Sequence, residues 1–546
     1  MIDSDDQTNR QTIPRWLSIK ESRLLGELGA APRPPSAMQS GLIIEANHFL
    51  DAEFRRATER WTASNALEDA EELIGIALLA GRLDDPQAER AGLALVERAG
   101  EDDARLQFVR RVLARNTGPG GDSNLPVEEA QIRIEIAKRK RLLELNPRDA
   151  LRLAESALLY VNVGQTRSAW TLLRRALILR PDDRYVLRAA SRFFVHVGEP
   201  DEAQHFLSTS KATLSDPWLR SALFAVQAAS GRAVSGWRKA RSLLGDMKFS
   251  PRDLSELAVQ MGSMEYDDGS RKQAIRMLRQ GAVSPTENAI AQIGWVARHR
   301  PDFKHVDLKV DISLSEEASA YTAYEQSMWT EVVRHCSDWR KIEPFSVRPA
   351  ILATFIGCVS MMALDEAAMV GAYGLLANPK NKTLLNNLAA VRALQGRFAD
   401  ARHLLDRARA SIGEDEDDVV VTATAGLIDF REGKFASGID QYASAIDKAR
   451  KAKNFGLEFR AICYLSREVA RVDPEQGRVL LDQIDSTFGS LTKQGATIPK
   501  DITVMREQIA EMLRVSVGRA QALQSIASFR LRDVIGDTGA GLIRDD

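Results

Sequence analysis

The sequence of 546 residues is poor in aromatic residues, which make up 6% of it, and it contains three cysteines. Cys336, Cys358 and Cys463 are too few for a disulfide framework and too far apart for a metal-binding set. Alternating runs of β-branched and polar residues, which mark half-buried strands, are nearly absent. Ala, Leu, Arg and Glu dominate instead, and these residues lose little side-chain freedom in a helix. The composition therefore predicts an all-α protein in a reducing compartment.

An excess of basic charge is also lacking, because 74 Lys and Arg face 75 Asp and Glu. A dedicated nucleic-acid binder usually carries such an excess, since neutralising phosphates supplies most of its affinity. A local basic face remains open, with the run Lys138–Arg141 beside Arg133 as the candidate. We interpret that run as a solvated helix face, because no aromatic residues for base stacking are interleaved with it.

Long apolar runs are missing as well. The most apolar stretch is Ala350–Leu364, which Asp365 and Glu366 end, and it is shorter than the roughly 20 residues that cross a bilayer. The acidic and polar N-terminus has no apolar core of a signal peptide. We therefore expect a cytoplasmic protein without a membrane partner, in which residues 350–364 form a buried helix.

A pattern of small residues around a glycine recurs along the chain with constant internal spacing, and its first two copies are 34 residues apart. Its clearest copies are Ala157, Gly164 and Ala169, then Ser191, Gly198 and Ala203, then Gly262, Gly269 and Ala274, and later Ala389, Gly396 and Ala401, followed by Gly426, Gly433 and Gly438. The outer small residues suit the crossing of two antiparallel helices, where a larger side chain would separate them. The central glycine suits a left-handed helix end, which costs least without a Cβ.

This spacing resembles the tetratricopeptide repeat, a 34-residue helix–turn–helix unit. The resemblance is strongest at residues 150–183 and 382–415 and covers most of residues 66–490. It implies a right-handed superhelical α-solenoid of antiparallel helix hairpins. Segment 348–379 departs from the pattern, because Met361 and Met362 occupy the turn where a glycine would sit.

Pro-rich, Gly-rich and aperiodic stretches divide the chain further. We expect a flexible leader (1–40), an N-terminal helical array (41–298), an irregular junction with two helices (299–347), a C-terminal array (348–490), a capping helix (491–532) and a flexible tail (533–546). Within the leader, the apolar island Ile13–Leu17 could dock on the body or a partner, or belong to a bare tail. Within the junction, the alternation of residues 306–312 suggests a short strand or an extended linker.

The resemblance also implies a groove lined by the first helix of each repeat. In the repeat at 184–217, Tyr185, Arg188 and Arg192 occupy groove positions, with His196 nearby. This basic, partly aromatic stripe could hold a carboxylate or an acidic peptide through charge-assisted hydrogen bonds. A plain solvated face is the alternative.

In the repeat that starts at Lys382, Thr383 and Asn386 occupy groove positions, with Asn387 beside them. Amide side chains in such grooves can hold the main chain of a bound peptide. Chaperone-binding members of the family use a two-carboxylate clamp of Lys, Asn and Arg. That clamp is not reproduced, since the flanking positions are Leu352, Ile356, Val420 and Thr424.

No catalytic motif survives inspection, and no residues form a metal or cofactor signature. We therefore expect a non-catalytic scaffold or adaptor without cofactors that binds a protein or peptide partner in its groove. The resemblance and the high ratio of Arg to Lys favour a recognition or regulatory subunit of a multi-protein bacterial system. A regulator that senses a peptide or small ligand is the alternative, RNA binding is less favoured, and an enzyme least; self-association stays open.

Overall fold

In the computed structural model, the described residues are 10–24, 46–101, 103–117, 124–300, 303, 308–411, 419–493 and 498–515. Their packing divides the chain into two compact units. The N-terminal unit consists of the described residues of Ser4–Ser319 with Lys341–Ser346, and the C-terminal unit of Ala320–Arg340 and the described residues of Val347–Asp546. Each unit is a stack of antiparallel helix hairpins, which confirms the predicted all-α solenoid class.

In the described part of the N-terminal unit, residues 10–18 come first; they form neither helix nor strand and lead into a short helix. Its helices are α1 (Ile19–Leu24), α2 (Ala46–Ser64), α3 (Leu67–Ala80), α4 (Pro86–Arg98), α5 (Ala104–Thr117), α6 (Leu125–Leu145), α7 (Ala150–Asn162), α8 (Thr166–Leu179), α9 (Arg184–His196), α10 (Pro200–Thr209), α11 (Pro217–Ala229), α12 (Trp237–Leu244), α13 (Pro251–Asp267), α14 (Arg271–Gly281) and α15 (Glu287–His299). Helices α16 (Glu316–Glu325) and α17 (Trp329–Ile342) contribute residues to both units.

The C-terminal unit continues the hairpin pattern. Its helices are α18 (Arg348–Ser360), α19 (Leu364–Ala377), α20 (Lys382–Leu394), α21 (Phe398–Ala410), α22 (Val419–Arg431), α23 (Phe435–Lys451), α24 (Phe455–Val472), α25 (Pro474–Lys493) and α26 (Lys500–Val515). Helix α26 packs on α24 and α25 through Ile502, Met505 and Ile509, which are buried.

The repeated glycines end the first helix of their hairpins in the left-handed conformation. Gly164, Gly198, Gly269, Gly396 and Gly433 all have φ between 77° and 89°. The predicted role of this repeat position is therefore confirmed. In the hairpin of α18 and α19, Met361 and Ala363 take the same left-handed region, with φ of 56° and 49°. Side chains with a Cβ are strained there.

The small residues lie where the paired helices cross. A Cβ built on Gly426 would lie 3.0 Å from the main-chain oxygen of Gly438, and one on Gly374 would lie 2.4 Å from the Cβ of Ala350. Ala157 and Ala169 are fully buried in the hairpin of α7 and α8. The placement of small residues within each hairpin thus reflects the close approach of its two helices.

The apolar stretch Ala350–Leu364 forms most of α18, whose residues 349–360 are all buried. No helix among the described residues combines the length and the hydropathy that crossing a membrane requires.

One expectation about the leader needs correction. Residues 10–17 are not a flexible part of the chain, because Arg10, Thr12, Arg15, Trp16 and Leu17 are at most 5% exposed.

 Residues 10–17 are buried because they lie in the groove of the N-terminal unit. The alternating residues 306–312 form no strand in their described part, 308–312, which fits the linker alternative, and Ile312 begins a 3₁₀ turn that ends at Leu314.

Several predicted features lie outside the described residues. They are the remaining parts of the leader (1–9 and 25–40), the end of the capping helix beyond Val515 and the tail (533–546).

Candidate functional site

An open cavity of about 630 Å³, counting its mouth, lies in the C-terminal unit. The first helices of four successive hairpins line it, α18, α20, α22 and α24, with one residue from α23. The lining residues are Phe355, Cys358, Asn386, Asn387, Ala390, Val419, Val420, Ala423, Thr424, Leu427, Tyr442, Leu457, Arg460, Ala461 and Tyr464.

Helical spacing explains why these side chains converge. Residues three and four apart lie on one face of a helix, as Val420, Ala423 and Leu427 do on α22. Leu457, Ala461 and Tyr464 do so on α24. The faces of neighbouring first helices therefore form one continuous wall, as the repeat pattern predicts.

The predicted residues Asn386 and Asn387 both line the cavity, whereas Thr383, one turn earlier on α20, does not. Asn386 is 4% exposed, and its Oδ1 accepts no hydrogen bond from any described residue. A buried acceptor without a donor is unfavourable, so Oδ1 is ready to accept a hydrogen bond from a bound molecule. The main-chain oxygen of Asn387 accepts one from the thiol of Cys358, at 3.3 Å.

The charge of the cavity wall is balanced within the protein. Arg460 donates to Asp501 through Nε, at 2.5 Å, and Asp501 is 2% exposed. A guanidinium held in this way offers less to an anionic ligand than a solvated one does. The cavity therefore combines mainly apolar walls with an unsatisfied amide oxygen.

Burial raises the pKa of Cys358 to about 12, so its thiol stays protonated at neutral pH. A protonated thiol is a poor nucleophile. Among the described residues, no three His, Cys, Asp or Glu side chains are grouped to hold a metal ion.

The groove of the N-terminal unit has a different occupant, which is the chain's own residues 10–17. The hydroxyl of Tyr185 donates to the main-chain oxygen of Leu17, at 2.9 Å. Thr12 donates through its hydroxyl to Gln260 Oε1, at 2.6 Å, and through its main-chain nitrogen to the same atom, at 3.0 Å. Asn288 donates to the main-chain oxygen of Ile13, at 3.1 Å.

Arg10 lies at one end of this segment in a fully polar pocket. Its guanidinium donates to both carboxylate oxygens of Glu317, at 2.7 and 3.0 Å. It also donates to Gln292 Oε1, at 2.8 Å, and to Asn288 Oδ1, at 3.0 Å. Bidentate pairing of this kind fixes orientation as well as charge.

Arg15 and Trp16 hold the other end. Arg15 donates to Glu317, at 2.7 Å, and forms a second ion pair with Glu343. The indole of Trp16 meets the ring of Phe345 edge to face, with centroids 5.8 Å apart, and Trp16 is 1% exposed. Aromatic pairs prefer this arrangement.

The four residues predicted to bind a partner in this groove are therefore engaged within the unit. Besides Tyr185, Arg188 pairs with Glu256 at 3.1 Å, and Arg192 and His196 both lie against the ring of Phe345. The stripe is neither an open anion site nor a solvated face, which corrects both interpretations. The reason is that acidic side chains and the chain's own N-terminal segment neutralise and cover it.

Sequence reasoning missed the partners of this segment, Gln260, Gln292 and Glu317. Each lies more than 240 residues from the residue that it holds. The signal available in the sequence was the apolar island Ile13–Leu17. It marks the segment but does not indicate which helices the segment contacts.

Two arginines of the basic run Lys138–Arg141 also pair with carboxylates of the protein. Arg139 pairs with Glu155 at 2.6 Å, Arg141 donates to Glu53 at 2.7 Å, and Lys138 lies over the ring of Phe49 at 4.5 Å.

No protein-family description matches this chain, and no curated protein matches it. Among solved structures, that of Naa15/Naa10 bound to HypK-THB is 14% identical and overlays with a TM-score of 0.24. The match covers 86% of this chain and 79% of that chain. An overlay this loose supports no conclusion about function.

Proposed function

We propose that the chain is a non-catalytic interaction scaffold whose C-terminal cavity binds an extended, apolar peptide segment of a partner protein. The observation that carries the proposal is the unsatisfied Oδ1 of Asn386 in a cavity lined by successive first helices. A peptide main chain has the N–H donor that this oxygen lacks. The apolar walls around Val420, Ala423 and Leu457 suit a large aliphatic or aromatic side chain beside that N–H.

The balance of charge supports an uncharged segment over an acidic one. Arg460 is already paired with Asp501, and a ligand carboxylate would have to compete with that buried partner. RNA is not proposed, because Arg188, Arg139 and Arg141 are all paired with carboxylates of the protein.

The test begins with selection of random 12-residue peptides on the intact chain, followed by affinity measurements on the selected peptides. We expect peptides with an apolar anchor, bound about tenfold more weakly by Asn386→Ala, since one buried hydrogen bond is worth roughly 1–3 kcal/mol. Val420→Trp should fill the cavity and abolish binding.

Thr383→Ala is the matched control, because Thr383 lies on the same helix but outside the cavity. It should leave the affinity unchanged. Selected peptides whose affinity neither Asn386→Ala nor Val420→Trp lowers would show that binding occurs elsewhere.

A ligand-sensing regulator is the second candidate, because apolar walls beside the unsatisfied Oδ1 of Asn386 would also suit a small ligand that carries a hydrogen-bond donor. A ligand that regulates should change the arrangement of the hairpins, which small-angle scattering detects as a change in radius of gyration. A scaffold should bind its peptide without such a change.

A further inference from the structure

The groove of the N-terminal unit presents three carboxylates to residues 10–15. We call Glu287, Glu317 and Glu343 the carboxylate cluster. Glu317 accepts hydrogen bonds from Arg10 and Arg15, and Glu343 pairs with Arg15. Burial raises the pKa of Glu287, and the nearby guanidinium of Arg15 opposes that shift.

The carboxylate cluster makes the groove of the N-terminal unit selective for ligands with cationic side chains. Glu317 is 1% exposed and pairs with two guanidinium groups from residues 10–15. Without them it would be a buried carboxylate stripped of those two ion pairs, which is strongly unfavourable. A ligand of this groove must therefore bring guanidinium groups to the position of Glu317.

We propose that the N-terminal groove is a receptor for an arginine-bearing extended peptide, and that residues 10–17 occupy it in cis as an exchangeable ligand. While they remain there, the groove is closed to partners. Once residues 10–17 leave the groove, a peptide with the same pattern of side chains binds there. That pattern is Arg, Thr, Arg and Trp at the positions of residues 10, 12, 15 and 16. This site is separate from the C-terminal cavity and does not depend on it.

The way in which the segment is held supports exchange. Its main chain bonds to side chains of the first helices, with Gln260, Asn288 and Tyr185 each holding one main-chain group. Those residues lie on α13, α15 and α9, so the segment crosses the hairpins as a separate extended peptide would. The groove holds the segment through contacts with its side chains and main chain. These contacts do not require that the segment be covalently joined to α2.

The pockets also set the order of side chains that the groove accepts. Gln292 and Asn288 complete the pocket of Arg10, while Phe345 covers Trp16. Thr12 meets Ser221 at 3.2 Å and Gln260 at 2.6 Å, so a larger apolar residue there would leave these groups unsatisfied. The spacing of the two arginines is fixed because both must reach Glu317.

The test uses the whole chain as two co-expressed polypeptides, residues 1–35 and 36–546. We expect them to purify together and a fluorescent peptide of residues 8–18 to displace the short piece. The intact chain should take up this peptide at least twentyfold more weakly, because its tethered segment competes at a high effective concentration.

A peptide carrying Arg15→Glu should bind the split protein at least tenfold more weakly, and a scrambled peptide should not bind. The proposal is overturned if polypeptide 36–546 is insoluble even when polypeptide 1–35 is present. It is also overturned if polypeptide 36–546 unfolds cooperatively, as followed by circular dichroism, but binds neither polypeptide 1–35 nor the peptide of residues 8–18. It is also overturned if the intact chain and the split protein take up the peptide equally, or if Arg15→Glu binds as the native peptide does.

Discussion

Glu317 joins two arginines of the N-terminal segment to the first-helix wall, and all three side chains are buried. Such an ion-pair network depends on each member, because removal of one leaves the others charged and desolvated. Exposed pairs behave differently, since water screens them and their side chains are free to move. The loss of a buried arginine–carboxylate pair is therefore expected to lower the stability of this chain more than the loss of an exposed one.

Glu317→Gln should lower the free energy of unfolding by about 3–5 kcal/mol, because Arg10 and Arg15 lose their shared carboxylate. Asp201→Asn, which removes an exposed pair with Arg232, is the matched control and should cost at most about 1 kcal/mol. Urea unfolding followed by circular dichroism measures both. Equal losses for the two variants would contradict a buried network.

Glu287→Gln should stabilise the protein more at pH 8 than at pH 5. Burial raises the pKa of Glu287 in the folded state, so folding favours the protonated carboxyl. The stability that this group contributes is present below its unfolded pKa and is lost as pH rises through the folded pKa. Glutamine does not titrate, so it removes that loss. Thermal unfolding of both proteins at the two pH values measures the difference; a variant that gains nothing at pH 8 would refute the assignment.

At the scale of elements, the helix hairpin depends on a left-handed residue at the end of its first helix. Glycine meets that need in five of the hairpins named above, whereas α18 and α19 are joined through Met361 and Ala363 at positive φ. Departure from the repeat pattern in segment 348–379 therefore coincides with strained backbone, while the hairpin itself is kept.

Ala363→Gly should raise the free energy of unfolding by about 0.5–1 kcal/mol, because it relieves left-handed strain that exceeds the entropic cost of glycine. Ala399→Gly, at an exposed position in α21 with ordinary helical backbone, is the control and should destabilise slightly. Chemical unfolding distinguishes the two. A loss of stability in both variants would mean that the strain at Ala363 is not relieved by glycine.

At the scale of the whole molecule, the two units differ in how their first-helix walls are used. Residues 10–17 cover the wall of the N-terminal unit, whereas the C-terminal unit presents an open cavity with Asn386 in its wall. A solenoid stabilises itself mainly through contacts between neighbouring repeats, and the segment adds contacts that span several of them.

Deletion of residues 1–18 should therefore loosen the N-terminal unit selectively. Amide hydrogen exchange followed by mass spectrometry should show peptides from α9, α11, α13 and α15 exchanging about tenfold faster or more. Peptides from α20, α22 and α24 should be unchanged. A uniform increase across both units would argue against a local role for the segment.

Local chemistry made the hairpins predictable. A glycine such as Gly396 and small residues such as Ala389 and Ala401 act within one 34-residue unit, so their spacing alone indicates a turn and a helix crossing. Asn386 and Asn387 were predicted as groove residues from the resemblance to the tetratricopeptide repeat, whose first helices line a groove, and both line the cavity. The contributions of Tyr442 and Arg460 to the cavity wall were not predicted.

The sequence by itself determined the helices, their pairing and the residues that face inward, since each depends on neighbours a few positions away. Only the tertiary structure decided which inner wall is free. Glu317 meets Arg10 across 307 positions, and no spacing rule connects residues so far apart. Charge complementarity between the segment and the carboxylate cluster, expressed only after folding, closes one groove and leaves the C-terminal cavity open.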